Sequence, residues 1–272
     1  MNWKKLFMPG KDLTVTEAQE FMAKRGGDSY QLLDVRQPSE YEAGHLAGAI
    51  LIPLKELPDR LAELDEEKPL IVYCAIGGRG KVAAQLLRGH GFENVFNMAG
   101  GIKAWQGSQA TGPEQAGLEL ITGEGDYADG ICLAYAMEDG LQQFYRLMAD
   151  QASSEADHKL FTRLMGFEDR HKTRLLAECR TINGESSLPD QGTGDVMESG
   201  ERVRDLLARM AGRLRGTRDI LEFAMALETQ AFDLYSRLAR KAEHQEVQAL
   251  FVCLASEEKT HLIWLADQLD IM

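Results

Sequence analysis

Two sets of residues in this 272-residue chain have the types and spacing that chemistry requires. The first centres on Cys74. It ends the apolar run Leu70-Ile71-Val72-Tyr73 and precedes Ala75-Ile76-Gly77-Gly78-Arg79-Gly80. A strand, a glycine-rich loop and a helix starting near Lys81 together make a site for an anion. Glycines permit the dihedrals that turn successive N–H groups inward. The helix N-terminus adds partial positive charge. Arg79, at the far end of the loop, is placed to clamp an anionic group or to brace the loop. These features favour thiolate over thiol and mark Cys74 as a nucleophile, with Arg79 beside it. Ala75, Ile76, Gly77, Gly78 and Gly80 are then the anion loop.

The second set is Glu168-Asp169-Arg170-His171 and Glu258-Lys259-Thr260-His261, both Glu-x-x-His. Residues at i and i+3 share a helix face, so each motif aims a carboxylate and an imidazole the same way. Glu138 and Glu228 each lie 30 residues earlier, the length of one helix, a turn and the return. Four glutamates in a bundle core cannot remain bare anions, because desolvation and repulsion are prohibitive. Two divalent cations give formal neutrality. Oxygen and imidazole donors suit iron or manganese better than zinc. Glu138, Glu168, His171, Glu228, Glu258 and His261 are therefore the expected metal ligands, and the arrangement is that of di-iron carboxylate bundles. Tyr145 and Tyr235, seven residues after their glutamates, reach the same face. Asp139, Asp169 and Glu257 are read as solvated-face residues, and His158 and His244 as surface residues. Cys132, Cys179 and Cys253 are read as buried thiols.

The elements that must position these groups divide the chain in two. Gln31-Leu32-Leu33-Asp34-Val35, Leu70–Tyr73 and Asn94-Val95-Phe96-Asn97-Met98 are runs of strand length. Helical spacing covers Thr16 to Arg25 and Lys81 to Gly89. Strands alternating with helices predict a parallel α/β sheet flanked by helices. Gln106 to Gly117 is rich in Gly, Gln and Pro and reads as a linker. Beyond it the strand signal ends. Helical patterns cover 126–151, 155–182, 202–215, 217–241 and 243–270, with a long polar connection at 183–200, as a four-helix bundle requires. The domains expected are 1–107 and 125–272, joined by 108–124. An internal repeat at an offset of 90 residues runs through the second. Ala134, Glu138 and Tyr145 recur as Ala224, Glu228 and Tyr235. Phe161, Glu168 and His171 recur as Phe251, Glu258 and His261. The helix near 202–215 carries an extra amphipathic face that covers the bundle or joins a partner subunit.

Composition narrows the field. The net charge is -13, and residues 111–272 hold 17 basic against 29 acidic groups. That balance argues against binding nucleic acid or an anionic membrane. No run reaches the length of a membrane span, the N-terminus is not a secretory signal, and the four cysteines form no CxxC pair. A reducing cytoplasm is the expected location.

Residues 10–107 resemble a single rhodanese (sulfurtransferase) domain. Three stretches carry the resemblance. They are Asp34-Val35-Arg36 with Glu40-Tyr41 and Gly44-His45-Leu46-Ala47-Gly48-Ala49, then Cys74-x-x-Gly77-x-Arg79, and finally Gly100-Gly101-Ile102-Lys103-Ala104-Trp105. The resemblance implies that Cys74 accepts a sulfane sulfur as a persulfide and passes it to a thiophilic acceptor. Four residues separate Cys74 from Arg79; phosphatases of related fold have a loop one residue longer, so phosphoryl chemistry is the weaker reading. Gly80 stands where the family usually has Ser or Thr, which removes a hydroxyl from beside the sulfur. Asp34, Arg36 and His45 are read as structural groups that fix loops.

Residues 125–271 resemble the rubrerythrin branch of the ferritin-like superfamily, through the six ligands named above. The likeness implies a bundle with two iron ions per chain, manganese or zinc being the alternatives, reacting with peroxide or dioxygen. The family's CxxC iron module is absent, so electrons must come from an external donor. The fusion predicts persulfide chemistry combined with a peroxidase-like di-iron oxidoreductase. A small sulfur donor and a thiol acceptor are the expected partners, and a homodimer the expected assembly. Two other readings are an oxidant- or sulfur-sensing binding protein and ferroxidase-type iron handling.

Overall fold

The structure is a computed structural model, described here for residues 11–118, 127–183, 197, 202–210 and 212–272. The chain divides into two compact units between Glu114 and Gln115.

The first unit is built on a five-stranded, wholly parallel sheet. Its strands are β1 (Lys11–Leu13), β2 (Gln31–Asp34), β3 (Ile50–Leu51), β4 (Leu70–Tyr73) and β5 (Val95–Met98), in the order β1-β5-β4-β2-β3. Central β4 is buried along its whole length. That is why it reads as an unbroken apolar run rather than an alternating one. The pleat still sorts its side chains. Leu70, Val72 and Cys74 join the core on one face, with Leu33 and Val35, while Ile71 and Tyr73 join the other, with Leu32 and Met98. The crossovers carry helices α1 (Val15–Ala23), α2 (Pro38–Ala43) and α3 (Gly78–Gly89). A Thr14/Glu17 capping box starts α1. β1, β3 and α2 have no counterpart in the sequence reading; three, two and six residues are too short for periodicity to register.

Asp34 and Arg36 lock the end of β2. The guanidinium donates to both carboxylate oxygens, at 2.6–3.0 Å, and to the Gly44 carbonyl at 2.7 Å. His45 Nδ1 meets the Tyr41 carbonyl at 2.9 Å, with its ring stacked on Tyr41. These three polar groups are structural, as their setting in the motif suggested.

The second unit consists of two helical hairpins, α4 (Tyr127–Asp150) with α5 (Glu155–Asn183) and α7 (Thr217–Lys241) with α8 (Gln245–Ile271). Short α6 (Val203–Met210) lies against α4. Val203 and Leu206 are buried with Phe144, Ile220 and Leu265, so its apolar face covers the bundle. The expected long connection at 183–200 falls almost wholly outside the described residues, as do residues 119–124 of the expected linker. The rest of that stretch is docked. Ala110 exchanges backbone hydrogen bonds with His45, and Gly112 N–H donates to Glu42. Arg237 donates to the Ala116 carbonyl, and Leu118 enters the bundle core. Among the described residues, no helix is long and apolar enough to cross a membrane.

Candidate functional site

Cys74 sits just past β4, at the carboxyl edge of the parallel sheet where open α/β folds gather their ligand sites. Helix α3 begins sooner than its apolar spacing indicates, at Gly78, because Gly77 adopts φ +96° and turns the chain into it. The loop is consequently tight. The Gly77 N–H points at Cys74 Sγ across 3.1 Å. The loop's carbonyls face the other way: Ile102 N–H donates to Cys74 O at 2.9 Å and Lys103 N–H to Ala75 O at 3.1 Å. These two bonds leave the inner face of the loop to donors. They require an unusually close approach. A Cβ on Gly101, itself at φ +59°, would lie 2.2 Å from Cys74 O. The Gly100-Gly101 pair is therefore the mould of the thiol loop, a role invisible when the two stretches are read separately.

Arg79 braces the loop. Its Nη1 and Nη2 each donate to a Glu40 oxygen at 2.7 Å, a bidentate pair with α2. The hydrogen bonds from Arg79, opposed by partial burial, push the Glu40 carboxyl down to about 2, and the same pair raises the Arg79 pKa, with a smaller pull from the Cys74 sulfur. Glu40 was legible only as part of a motif, not as the partner of Arg79. At Gly80 the structure shows a packing constraint. A Cβ there would lie 2.5 Å from Asn97 Oδ1 and 3.5 Å from Tyr73 Cα and Val72 O. Its nearest neighbours are sheet atoms and Asn97, not the sulfur. Any side chain at position 80 would therefore crowd Asn97 on β5.

In the second unit all six motif residues converge. Glu138, Glu168 and Glu228 are fully buried, and Glu258, His171 and His261 are 2%, 1% and 5% exposed. Glu138, Glu168 and His171 each offer a donor atom within 4.8 Å of one another, and so do His171, Glu258 and His261. His171 Nδ1 lies 2.9 Å from Glu138 and 3.3 Å from Glu258. His261 Nδ1 lies 3.2 Å from Glu228 and 3.3 Å from Glu258. The tyrosines cross between hairpins. Tyr145 of α4 donates to Glu228 of α7 at 3.3 Å, and Tyr235 of α7 donates to Glu138 of α4 at 2.6 Å. Duplication thus produces a reciprocal clasp, each hairpin orienting the other's carboxylate.

The electrostatics show how strained this donor set is as bare side chains. Burial pushes Glu258 well above the usual carboxylate range, and the Glu228 charge adds to it. Burial also opposes ionisation of Glu138 and Glu228, but His171 charge and hydrogen bonding outweigh it at Glu138 and lower its pKa. Hydrogen bonds from Glu258 and His261 do the same at Glu228. Burial acts against charge on His171, yet Glu138 lifts its pKa. A set of carboxylates whose burial opposes their charge is one that a bound cation would stabilise. Carboxylate oxygens with two imidazoles fit iron, and two groups of three such donors lie close enough together that each could hold a metal ion.

Two readings of single residues change. Glu257 is not simply solvated: its Oε2 lies 3.4 Å from His171 Nε2 and Arg174 grips its other oxygen. Cys253 is half-buried rather than buried, and accepts a hydrogen bond from Arg174 at 2.8 Å. Asp139 and Asp169 pair with Lys172 and Gln142 across the α4–α5 hairpin. Nothing in the sequence pairs Glu257 with a histidine of the other hairpin; only the packed helices do. The side chains of Cys132 and Cys179 lie outside the described residues. His158 and His244 are exposed.

Two outcomes follow for the thiol loop. Gly101→Ala must open it, and calorimetry should show the first unit destabilised by about 2–4 kcal/mol, from overpacking plus a non-glycine residue at positive φ. Glu40 has a depressed pKa in the fold, so its pairing stabilises fully above the usual 4.5 and fades as pH falls toward about 2. Replacing Glu40 with Gln should remove that part of the acid dependence of the first unit's melting temperature; an unaltered profile would show that the pair is not maintained in solution.

Comparison with known proteins bears on both sites. The family model described as a rhodanese-like domain matches residues 17–108, and that described as rubrerythrin matches 219–272. An uncharacterized protein of Bacillus subtilis, YqhL, is 45% identical over 94 residues, 35% of this chain and 72% of that protein. The thiosulfate sulfurtransferase GlpE of Coxiella burnetii is 33% identical over 101 residues, 37% of this chain and 92% of the relative. A rhodanese-related protein of Thermoplasma volcanium, of known structure, is 32% identical over 35% of this chain and 89% of its own, with a TM-score of 0.32. With the glycine-moulded thiol loop and the duplicated carboxylate cluster already in place, the family models and the Bacillus and Coxiella relatives put the chain in the rhodanese-like family, with a rubrerythrin domain matched at 219–272 in the same polypeptide.

Proposed function

We propose that this chain joins a sulfurtransferase to a di-iron oxidoreductase. The observation that carries the first activity is the Gly77 N–H aimed at Cys74 Sγ inside a loop whose carbonyls are held away. Inward N–H groups stabilise negative charge on sulfur, which is what a sulfur-carrying cysteine needs in both of its states. With thiosulfate, the donor named for the Coxiella relative, Cys74 thiolate attacks the outer sulfur. A new S–S bond forms, the S–S bond of thiosulfate breaks, and sulfite leaves with the electron pair. The terminal sulfur now carries the charge, which the N-terminus of α3 and the Arg79 guanidinium favour. An acceptor thiolate then attacks that sulfur, and Cys74 departs as thiolate. Arg79, fixed by Glu40, keeps the loop closed and supplies a cation at its rim. Ile76, 68% exposed at the loop's tip, leaves the approach open to an acceptor.

In the bundle, Glu138, Glu168, His171, Glu228, Glu258 and His261 are the residues that would hold two iron ions. When bound, that pair supplies a redox couple able to act on peroxide or dioxygen, with electrons from an external donor. The protein's own contribution is geometric. Tyr145 and Tyr235 fix the two carboxylates that come singly from α7 and α4. Phe167 stacks on His261 with ring centres 4.2 Å apart and shields that imidazole from water.

One purified preparation tests both halves. After thiosulfate treatment, mass spectrometry should find one added sulfur atom on Cys74, absent in Cys74→Ser. Metal analysis of the same sample should find about two irons per chain, lost in Glu168→Ala or His261→Ala. No adduct with thiosulfate or a persulfide donor would remove the sulfurtransferase, and a folded bundle that takes up no iron would remove the oxidoreductase.

A further inference from the structure

Between α5 and α8, on the outer side of the carboxylate cluster, lies a groove of about 860 Å³. Its lining includes His171 and His261, both buried, which form its inner end. His171 Nε2 makes no hydrogen bond there. Phe167 and Trp264 form an edge-to-face pair on the wall, ring centres 5.3 Å apart. Arg163, Arg170 and Arg174 also line the groove. Arg174 is engaged by Glu257 and Cys253. Arg163 and Arg170 make no ion pair among the described residues. Their guanidiniums lie 5.6 and 4.9 Å from the Phe167 ring centre, and Arg163 lies 5.8 Å from that of Trp264. A guanidinium laid near an aromatic face keeps its N–H fork for an oxyanion.

The repeat supplies an independent argument. At the offset of 90, Arg163 corresponds to Cys253, Arg170 to Thr260 and Arg174 to Trp264. None of the three arginines recurs. The second hairpin builds the same bundle without them, so the fold does not demand them. They also run against the charge of their surroundings, since residues 111–272 carry 17 basic and 29 acidic groups. Asp169 and Glu257 also line the groove, and Glu257 is taken up by Arg174, but Arg163, Arg170 and Arg174 outnumber the two carboxylates, so the groove runs against the acidic charge of its surroundings and favours an anion.

We infer that this groove binds a small oxyanion, its charged group on Arg163 and Arg170 and its remainder on Phe167 and Trp264, facing His171 and His261. The inference rests on the bundle being an oxidoreductase and names the class of its substrate. Carboxylates and sulfur oxyanions share the chemistry, and separate arms distinguish them. The test is calorimetric titration of the iron-loaded full chain carrying Cys74→Ser, with sodium sulfite in one arm, sodium succinate in another and uncharged dimethyl sulfone as control. A saturable component is expected with sulfite or succinate and not with the sulfone. The double variant R163Q/R170Q should weaken it at least tenfold, as expected for losing charge-assisted hydrogen bonds at exposed arginines. Its iron content and circular dichroism should be unchanged. No saturable binding of either anion, or an isotherm that the double variant leaves as it was, overturns the site. Iron measured on the same samples separates the two failures. Iron present without arginine-dependent binding removes the groove alone; arginine-dependent binding without iron keeps the oxyanion site and removes the di-iron reading.

Discussion

Four carboxylates buried in one bundle core cannot be left without positive charge. Moving even one carboxylate into such an interior costs several kcal/mol, and here Glu138, Glu168, Glu228 and Glu258 share a space a few ångströms across. Everything else in the second unit serves that requirement. The two hairpins bring in the glutamates, the i and i+3 spacing delivers each imidazole beside its carboxylate, and the crossed tyrosines prevent the single glutamates from turning away. Phe144 and Phe161 pack on Tyr145, Phe251 stacks on Tyr235, and the six cluster residues are themselves 5% exposed or less. Burial strengthens every attraction to a cation and every repulsion without one.

The first unit answers a smaller version of the same problem with backbone instead of counterions. One sulfur must be able to carry charge at the edge of a sheet. The answer is a loop in which the Gly77 N–H faces the sulfur while the Cys74 and Ala75 carbonyls bond elsewhere, and it depends on glycines on both sides. Gly77 makes the turn into α3, and Gly101 allows a second stretch of chain to reach the loop's carbonyls. Arg79 and Glu40 then hold the rim. The sulfur site is thus a product of backbone shape, whereas the bundle site is a product of side-chain charge.

That difference explains what could be read before the structure. The buried glutamate–histidine cluster of the bundle was legible because helical spacing and the 90-residue duplication encode it directly: a residue type, a face and a repeat. Central strand β4 and the loop after it were legible for similar reasons. What escaped notice depends on contacts between distant stretches. Gly101 is a mould only because Cys74 lies against it, Glu40 is a brace only because α2 passes Arg79, and Asn97 fills the space beside Gly80. Glu257 looked like a surface acid because its own helix gives it a half-exposed position; its approach to His171 comes from the other hairpin. The duplication also misleads where it is broken. Phe167 and Glu257 are equivalent in the repeat, yet one stacks on a histidine and the other meets one with a carboxylate.

The central claim is that cations, rather than protons alone, are what this buried cluster is built to hold. Differential scanning calorimetry of the full chain, iron-depleted and then reloaded anaerobically with Fe(II), tests it directly at neutral pH. The account predicts that reloading raises the unfolding temperature of the second unit, and that Glu168→Ala abolishes the rise. Identical transitions with and without iron, in a chain whose bundle stays folded, would contradict it.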